Sequence, residues 1–129
     1  MNTILIIAHT PLASALRSAA LHAFPDAALR VGVVDVMPLE TPDETLRAAR
    51  QLLANQSHGA VTGTLVISDV YGATPCNVAQ RLADGVHVKC VAGASLPMLL
   101  RAMTYWDGAL SIMAEKAVSG ASQGAVELV

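Results

Sequence analysis

The chain alternates short apolar runs with longer stretches of helical period. Thr3–Ala8 is apolar without alternation, the pattern of a strand buried on both faces, and it runs into His9. Pro11–Phe24 spaces Leu12, Ala15, Leu16, Ala19, Ala20 and Ala23 at i, i+3 and i+4, which predicts a helix broken by Pro25-Asp26. Leu29–Val34 reads as a second strand ended by Asp35. Thr41-Pro42-Asp43-Glu44 combines a capping hydroxyl, a proline at the first helical position and a capping-box glutamate, so a helix is expected from there to about Gln56. A loop, Ser57–Gly63, leads to a third strand, Thr64–Ser68, followed at once by Asp69. A helix over Pro75–Ala83 stops at Asp84-Gly85, and Val86–Ala92 forms a fourth strand. Helices over Leu96–Tyr105 and Leu110–Val118 follow. Beyond a glycine-bearing tail, Gly120–Gly124, the segment Ala125–Val129 is expected to add a last short strand.

Four strands interleaved with helices predict an α/β fold, a doubly wound and mainly parallel sheet with helices on both faces. The length of 129 residues fits one domain over residues 1–129. Aromatic residues make up only 3% of the chain, so the core must be built from Ala, Val, Leu and Ile. The net charge of −2 argues against nucleic acid as a partner, since that surface wants a strongly basic face. No stretch reaches the roughly 18 apolar residues of a membrane span, and Met1-Asn2-Thr3 lacks the basic start of a signal peptide. A cytoplasmic domain without direct membrane insertion is expected. Cys76 and Cys90 make neither a disulfide framework nor a metal spacing, and His22, His58 and His87 lack ligand spacing. No metal and no cofactor is expected.

The chemistry centres on His9. Open parallel sheets bind ligands at the carboxyl ends of their strands, where the strand order reverses. In the order 2-1-3-4 that point lies between the first and third strands, which end in His9 and Asp69. A carboxylate that accepts the proton of one imidazole nitrogen fixes the tautomer and makes the other nitrogen a better nucleophile. Such a histidine is a general base, a metal ligand or a phosphate acceptor. The surroundings favour an anion. Gly72 allows a tight turn that exposes backbone N–H groups around Ala73, and Thr10 and Thr74 bring hydroxyls to two helix starts. Those donors can hold a phosphoryl group without a metal, and phosphoryl transfer needs mainly positioning and charge stabilisation. Structural capping by the same polar residues is the competing reading.

Four segments carry a family resemblance over essentially the whole chain: ILIIAHTPLASAL, VVDVMPLETPDETL, LVISDVYGATPCNVAQRLA and VAGASLPMLLRAM. The third contains an Asp-x-x-Gly-x-Ser/Thr-Pro-x-Asn pattern after a strand and is the most specific. The chain resembles the mannose/fructose-type IIA domain of the bacterial phosphoenolpyruvate-dependent sugar phosphotransferase system. The resemblance implies that His9 takes a phosphoryl group from the phosphocarrier HPr and passes it to a IIB domain, with Asp69 orienting the ring. It also implies a homodimer in which a C-terminal antiparallel strand, here Ala125–Val129, is exchanged between subunits. The family commonly has Gly after the histidine, and this chain has Thr10. With no linker to a IIB domain after the tail, a sugar permease component and a regulatory protein are both compatible with the resemblance.

Two other classes compete. Cys76, just inside the helix after Thr74-Pro75, is placed where a helix N-terminus lowers a thiol pKa, so a cysteine-dependent hydrolase or redox enzyme is the first alternative, against a role as small apolar filler. A non-catalytic small-ligand-binding module of similar fold is the second, although neither G-x-G-x-x-G nor a P-loop lysine is present. Leu12, Tyr71, Pro97 and Met98 are candidates for an apolar rim where partners dock. Arg17, Arg81 and Arg101 read as solvated helix faces, Asp35 as a loop cap, Ser95 as a helix cap, and Trp106 as packing at a sheet edge or dimer contact.

Overall fold

The computed structural model describes residues 1–56 and 59–129, so His58 and the start of the expected 57–63 loop lie outside the described residues. Strands β1 (Asn2–His9), β2 (Val31–Val36), β3 (Gly63–Ser68) and β4 (Val88–Val91) form one parallel sheet in the order β2-β1-β3-β4. The helices are α1 (Leu12–Ala23), α2 (Pro42–Gln56), α3 (Thr74–Leu82), α4 (Leu96–Thr104) and α5 (Leu110–Gly124). The expected class and strand order are therefore those observed.

The apolar run of β1 explains the layering. Ile4, Ile6 and Ala8 point to one face and pack with α1, α4 and α5, while Leu5 and Ile7 point to the other and pack with α2 and α3. All five are fully buried, which is why no alternation shows in the sequence. A buried hydroxyl pair, Thr3 Oγ1 to Thr64 Oγ1 at 2.8 Å, ties β1 to β3 at the amino end of the sheet.

Several boundaries move, each for a local reason. Pro25–Arg30 forms a 3-10 helix that absorbs Leu29, which is 94% exposed, and β2 starts only at Val31. The strand then runs through Asp35 to Val36 because Val36 pairs with His9. β4 is shorter than expected at its start. The Asp84 carboxylate accepts the N–H groups of Val86, His87 and Val88, holding that stretch in a turn, and these bonds lower its pKa to about 2.

Two arginines are more than solvated. Arg17 donates to the carbonyls of Val31 and Ala28, both at 2.8 Å, and so fastens α1 to the start of edge strand β2. Arg101 is only half-buried and reaches Gln123, whereas Arg81 pairs with Asp43 at 3.2 Å on the surface, as expected. Trp106 is buried beneath the guanidinium of Arg30, whose carbon lies 3.6 Å from the ring centroid. It belongs to the amino end of the sheet, where its carbonyl accepts from Asn2 N–H.

The largest departure is at the C-terminus. Gly120 and Gly124 lie within α5, not in a tail. They let α5 approach α4 closely, since an added Cβ would stand 2.6 Å from Arg101 Cβ at Gly120 and 2.4 Å from Pro97 Cβ at Gly124. Gly120→Ala should therefore lower stability by about 1–2 kcal/mol, overpacking outweighing the gain in helix propensity. Urea denaturation checks this. A neutral or stabilising result would show that the two helices have room to separate. Ala125–Val129 forms no strand within the single chain, and Val126, Leu128 and Val129 are exposed.

Candidate functional site

β1 and β3 are neighbours whose continuations part to opposite faces of the sheet, toward α1 and α3. Their register pairs Ile7 with Ser68, so His9 and Asp69 emerge side by side at the carboxyl edge. The two residues meet directly. His9 Nδ1 lies 2.7 Å from Asp69 Oδ2, and the backbone N–H of His9 donates to the same oxygen at 3.0 Å. Asp69 is buried, with a side chain 8% exposed, while the His9 ring is 54% exposed. One carboxylate oxygen thus fixes both the backbone and the ring of a histidine whose far edge faces solvent.

Burial alone would raise the Asp69 pKa. Hydrogen bonds from the His9 backbone and ring, with the Val70 N–H and the charge on His9 helping, outweigh it and hold the carboxyl below its ordinary value. An ionised carboxylate only accepts, so Nδ1 carries a proton in this pair, and in the neutral ring the lone pair is on Nε2.

Gly93, in the bend after β4, also belongs to this site. Its N–H donates to the Asp69 carbonyl at 2.7 Å, and Ala94 N–H donates to the Ser68 carbonyl at 3.0 Å. The bend after β4 therefore braces the backbone on which Asp69 stands. The only local signal was a glycine ending an apolar strand, and Gly93 does take φ +89°. Ser95 caps α4 as expected, accepting Met98 N–H at 3.2 Å.

The loop from Val70 to Ala73 forms the other wall. Gly72 has φ +86°, a left-handed conformation, and Asn77 Nδ2 reaches its carbonyl at 3.4 Å. An added Cβ at Gly72 meets nothing within 4 Å, so the requirement there is conformational and not spatial. Gly72→Ala should cost about 1–2 kcal/mol, and Gly72→Asn less, because asparagine tolerates this region better. Thermal denaturation of both variants checks the order. Ala73 does not offer its N–H outward, since it donates to the Val70 carbonyl at 3.1 Å. The N–H groups of Thr74 and Cys76 lie in the first turn of α3, where no helical carbonyl precedes them.

The first turn of α1 is not an open anion site. Asp35 stands beside Ala8 in the sheet and accepts both the Ser14 N–H, at 3.1 Å, and the Ser14 hydroxyl. It caps a helix next to His9; it is not a remote loop cap. Thr10 continues the sheet by donating its N–H to Val36 at 3.1 Å, and the chain turns into α1 through a cis Thr10–Pro11 bond. The N-cap residues of α1 and α3, Pro11 and Ala73, make no side-chain cap hydrogen bond, and neither the Thr10 nor the Thr74 hydroxyl acts as a cap. Thr41, by contrast, caps α2 in a full capping box with Glu44.

Of the expected rim, Leu12, Tyr71 and Pro97 are exposed, Tyr71 most of all at 82%. Met98 is 1% exposed and packs in the core against β1 and α1, because its N–H and side chain turn inward after the Ser95 cap. Cys76 is buried at 4% exposure, as a small apolar filler would be, and Cys90 is half-buried with its thiol pKa raised by burial and by Cys76. Among the described residues no group of three or more His, Cys, Asp or Glu could hold a metal, and no helix is long and apolar enough to cross a membrane.

Comparisons with known proteins agree with this fold. Several solved structures share the fold. The phosphotransferase system component EIIA from Streptococcus agalactiae is 20% identical, covers 98% of this chain and 97% of its own, and has a TM-score of 0.85. The mannose/sorbose specific IIA subunit of the phosphotransferase system from Enterococcus faecalis is 19% identical, with 99% and 95% covered and a TM-score of 0.86. The PTS IIA protein associated with the fucose utilization operon from Streptococcus pneumoniae is 22% identical, with 98% and 93% covered and a TM-score of 0.83. No curated protein matches the chain. Residues 3–118 match the family model EIIA-man, described as PTS system fructose IIA component. The chain therefore belongs to the PTS fructose/mannose IIA component family.

Proposed function

We propose that the protein is a one-domain phosphohistidine carrier that accepts a phosphoryl group from HPr on His9 and hands it to a IIB component or a regulatory target. The observation that carries this reading is the His9–Asp69 pair, with Nδ1 held at 2.7 Å and the opposite edge of the ring open to solvent. Nε2 attacks the phosphorus carried by the donor's histidine. The new N–P bond forms as the old one breaks, and the Nδ1 proton stays on the ring, facing Asp69. Asp69 then balances the positive charge that develops on the imidazole.

The donors that receive the phosphoryl oxygens come from the α3 side: the Thr74 hydroxyl and the first-turn N–H groups after the Gly72 loop. The occupied first turn of α1 supports this asymmetry, because the Asp35 carboxylate there repels an anion. Ala73 shapes that turn, and Thr10 supplies a second hydroxyl from across the crevice. Leu12, Tyr71 and Pro97 form the surface on which partners dock. The bound phosphoryl adds about two negative charges at neutral pH, enough to change partner affinity.

The reading includes a homodimer in which Ala125–Val129 pairs with the sheet of a second copy. The apolar, exposed tail and the open edge of β4 support it. Incubation with radioactive phosphoenolpyruvate, enzyme I and HPr tests the carrier function. Acid-labile, base-stable label on the protein is the expected result. No label on folded protein, with donors shown to be active, would overturn it.

A further inference from the structure

On the flank of the fold, the outer face of α2 and the end of α3 enclose an open groove of about 440 Å3. Its floor includes Leu46, which is 4% exposed, and its walls carry Arg47, Arg50 and Arg81 with a single acid, Asp43. Asp43 is already paired with Arg81 at 3.2 Å. Arg47 and Arg50 have no ion pair among the described residues. They sit three residues apart on one helix, where like charges destabilise each other slightly. Three of the chain's eight cations thus line one groove of a protein whose ten acidic residues outnumber them.

We propose that this groove docks an acidic segment of a partner protein, with two of its carboxylates pairing with Arg47 and Arg50. The planar guanidinium fork matches a carboxylate, and the spacing of the two arginines, roughly 5–6 Å at their Cβ atoms, matches acids one turn apart on a partner helix. The groove is open, so a small anion would rest on screened surface charges alone, whereas a peptide adds contacts along the whole length of α2. Nucleic acid fits less well, since it calls for a broad basic face and usually stacking aromatics, and the groove's lining residues include no aromatic. α2 follows β2, whose last residue, Val36, pairs with His9. The proposal needs nothing from the phosphoryl-transfer reading.

Nitrogen-15-labelled protein, titrated with a capped Glu/Ala peptide of about 15 residues at physiological salt, tests it; that length is where an isolated helix becomes marginally stable. The expected result is saturable shifts of amide signals confined to α2 and the end of α3. Affinity should fall by about 2- to 30-fold in the Arg47→Gln/Arg50→Gln double variant, the loss expected from two exposed pairs. A Gln/Ala peptide should give no saturable shift. Shifts that are absent, scattered over the surface, or unchanged in the double variant would overturn the proposal. So would equal saturation by pyrophosphate, which would mark a small-anion site, or tighter binding of a single-stranded oligonucleotide.

Discussion

The His9→Ala protein, folded as the wild type, should take up no phosphate from phosphoenolpyruvate in the presence of enzyme I and HPr. On the proposed reading the loss is complete, because the substitution removes the accepting atom itself and not a helper. His9 ends a strand whose preceding residues are fully buried, and its own ring is 54% exposed. Replacing it should leave the sheet intact, so circular dichroism and the denaturation midpoint serve as the folding control. His22 and His87 are exposed but not paired with a buried carboxylate, and they are not expected to take over. Residual label of the same acid lability in His9→Ala would place the accepting nitrogen elsewhere. Cys76→Ala should label like the wild type, since its thiol is buried.

Asp69→Asn should label slowly, with a rate lower by about 10²- to 10⁴-fold, the range for losing the group that orients a reacting histidine and balances its charge. An amide can turn its oxygen toward His9, but its NH2 group then takes the place of Oδ1, which is buried and has no hydrogen-bond partner among the described residues. The alternative rotamer points a donor at the two donors of His9. Either choice loosens the ring, and neither supplies the negative charge. Single-turnover labelling by quench-flow reads the effect, and an unchanged rate would show that Asp69 does not orient the ring.

The same residue makes a pH prediction. Its pKa is lowered in the folded protein, so its stabilising contribution is fully present above the unfolded value, about 4, and is lost as pH falls through the folded value. Urea denaturation between pH 7 and pH 3 should show a steeper loss for wild type than for Asp69→Asn. Parallel curves would mean that the carboxylate is not held by His9.

Much of this site was legible because its parts lie at strand ends. A continuous apolar run must be buried on both faces, so its first polar residue marks an edge of the sheet, and His9 and Asp69 each follow such a run. The left-handed turn at Gly72 and the caps at Thr41 and Ser95 were legible for a similar reason: each is decided by neighbours within a few residues. Asp35 was misjudged because its partner, Ser14, lies 21 residues away and only the pairing of β1 with β2 brings them together. Met98 was misjudged because exposure depends on which way α4 is rolled against the sheet.

By itself, then, the sequence determined the succession of strands and helices, the parallel class of the sheet, and the two residues most able to do chemistry. Each of these follows from local periodicity and from residue types at the ends of buried runs. The tertiary structure alone decided that one oxygen of Asp69 holds both the backbone and the ring of His9, and that Gly93 braces it from β4. It alone showed that Asp35 fills the first turn of α1, and that Gly120 and Gly124 are contact points between helices. Those facts are distances between segments remote in the chain. They are set by strand register and helix packing, which no window of the sequence contains.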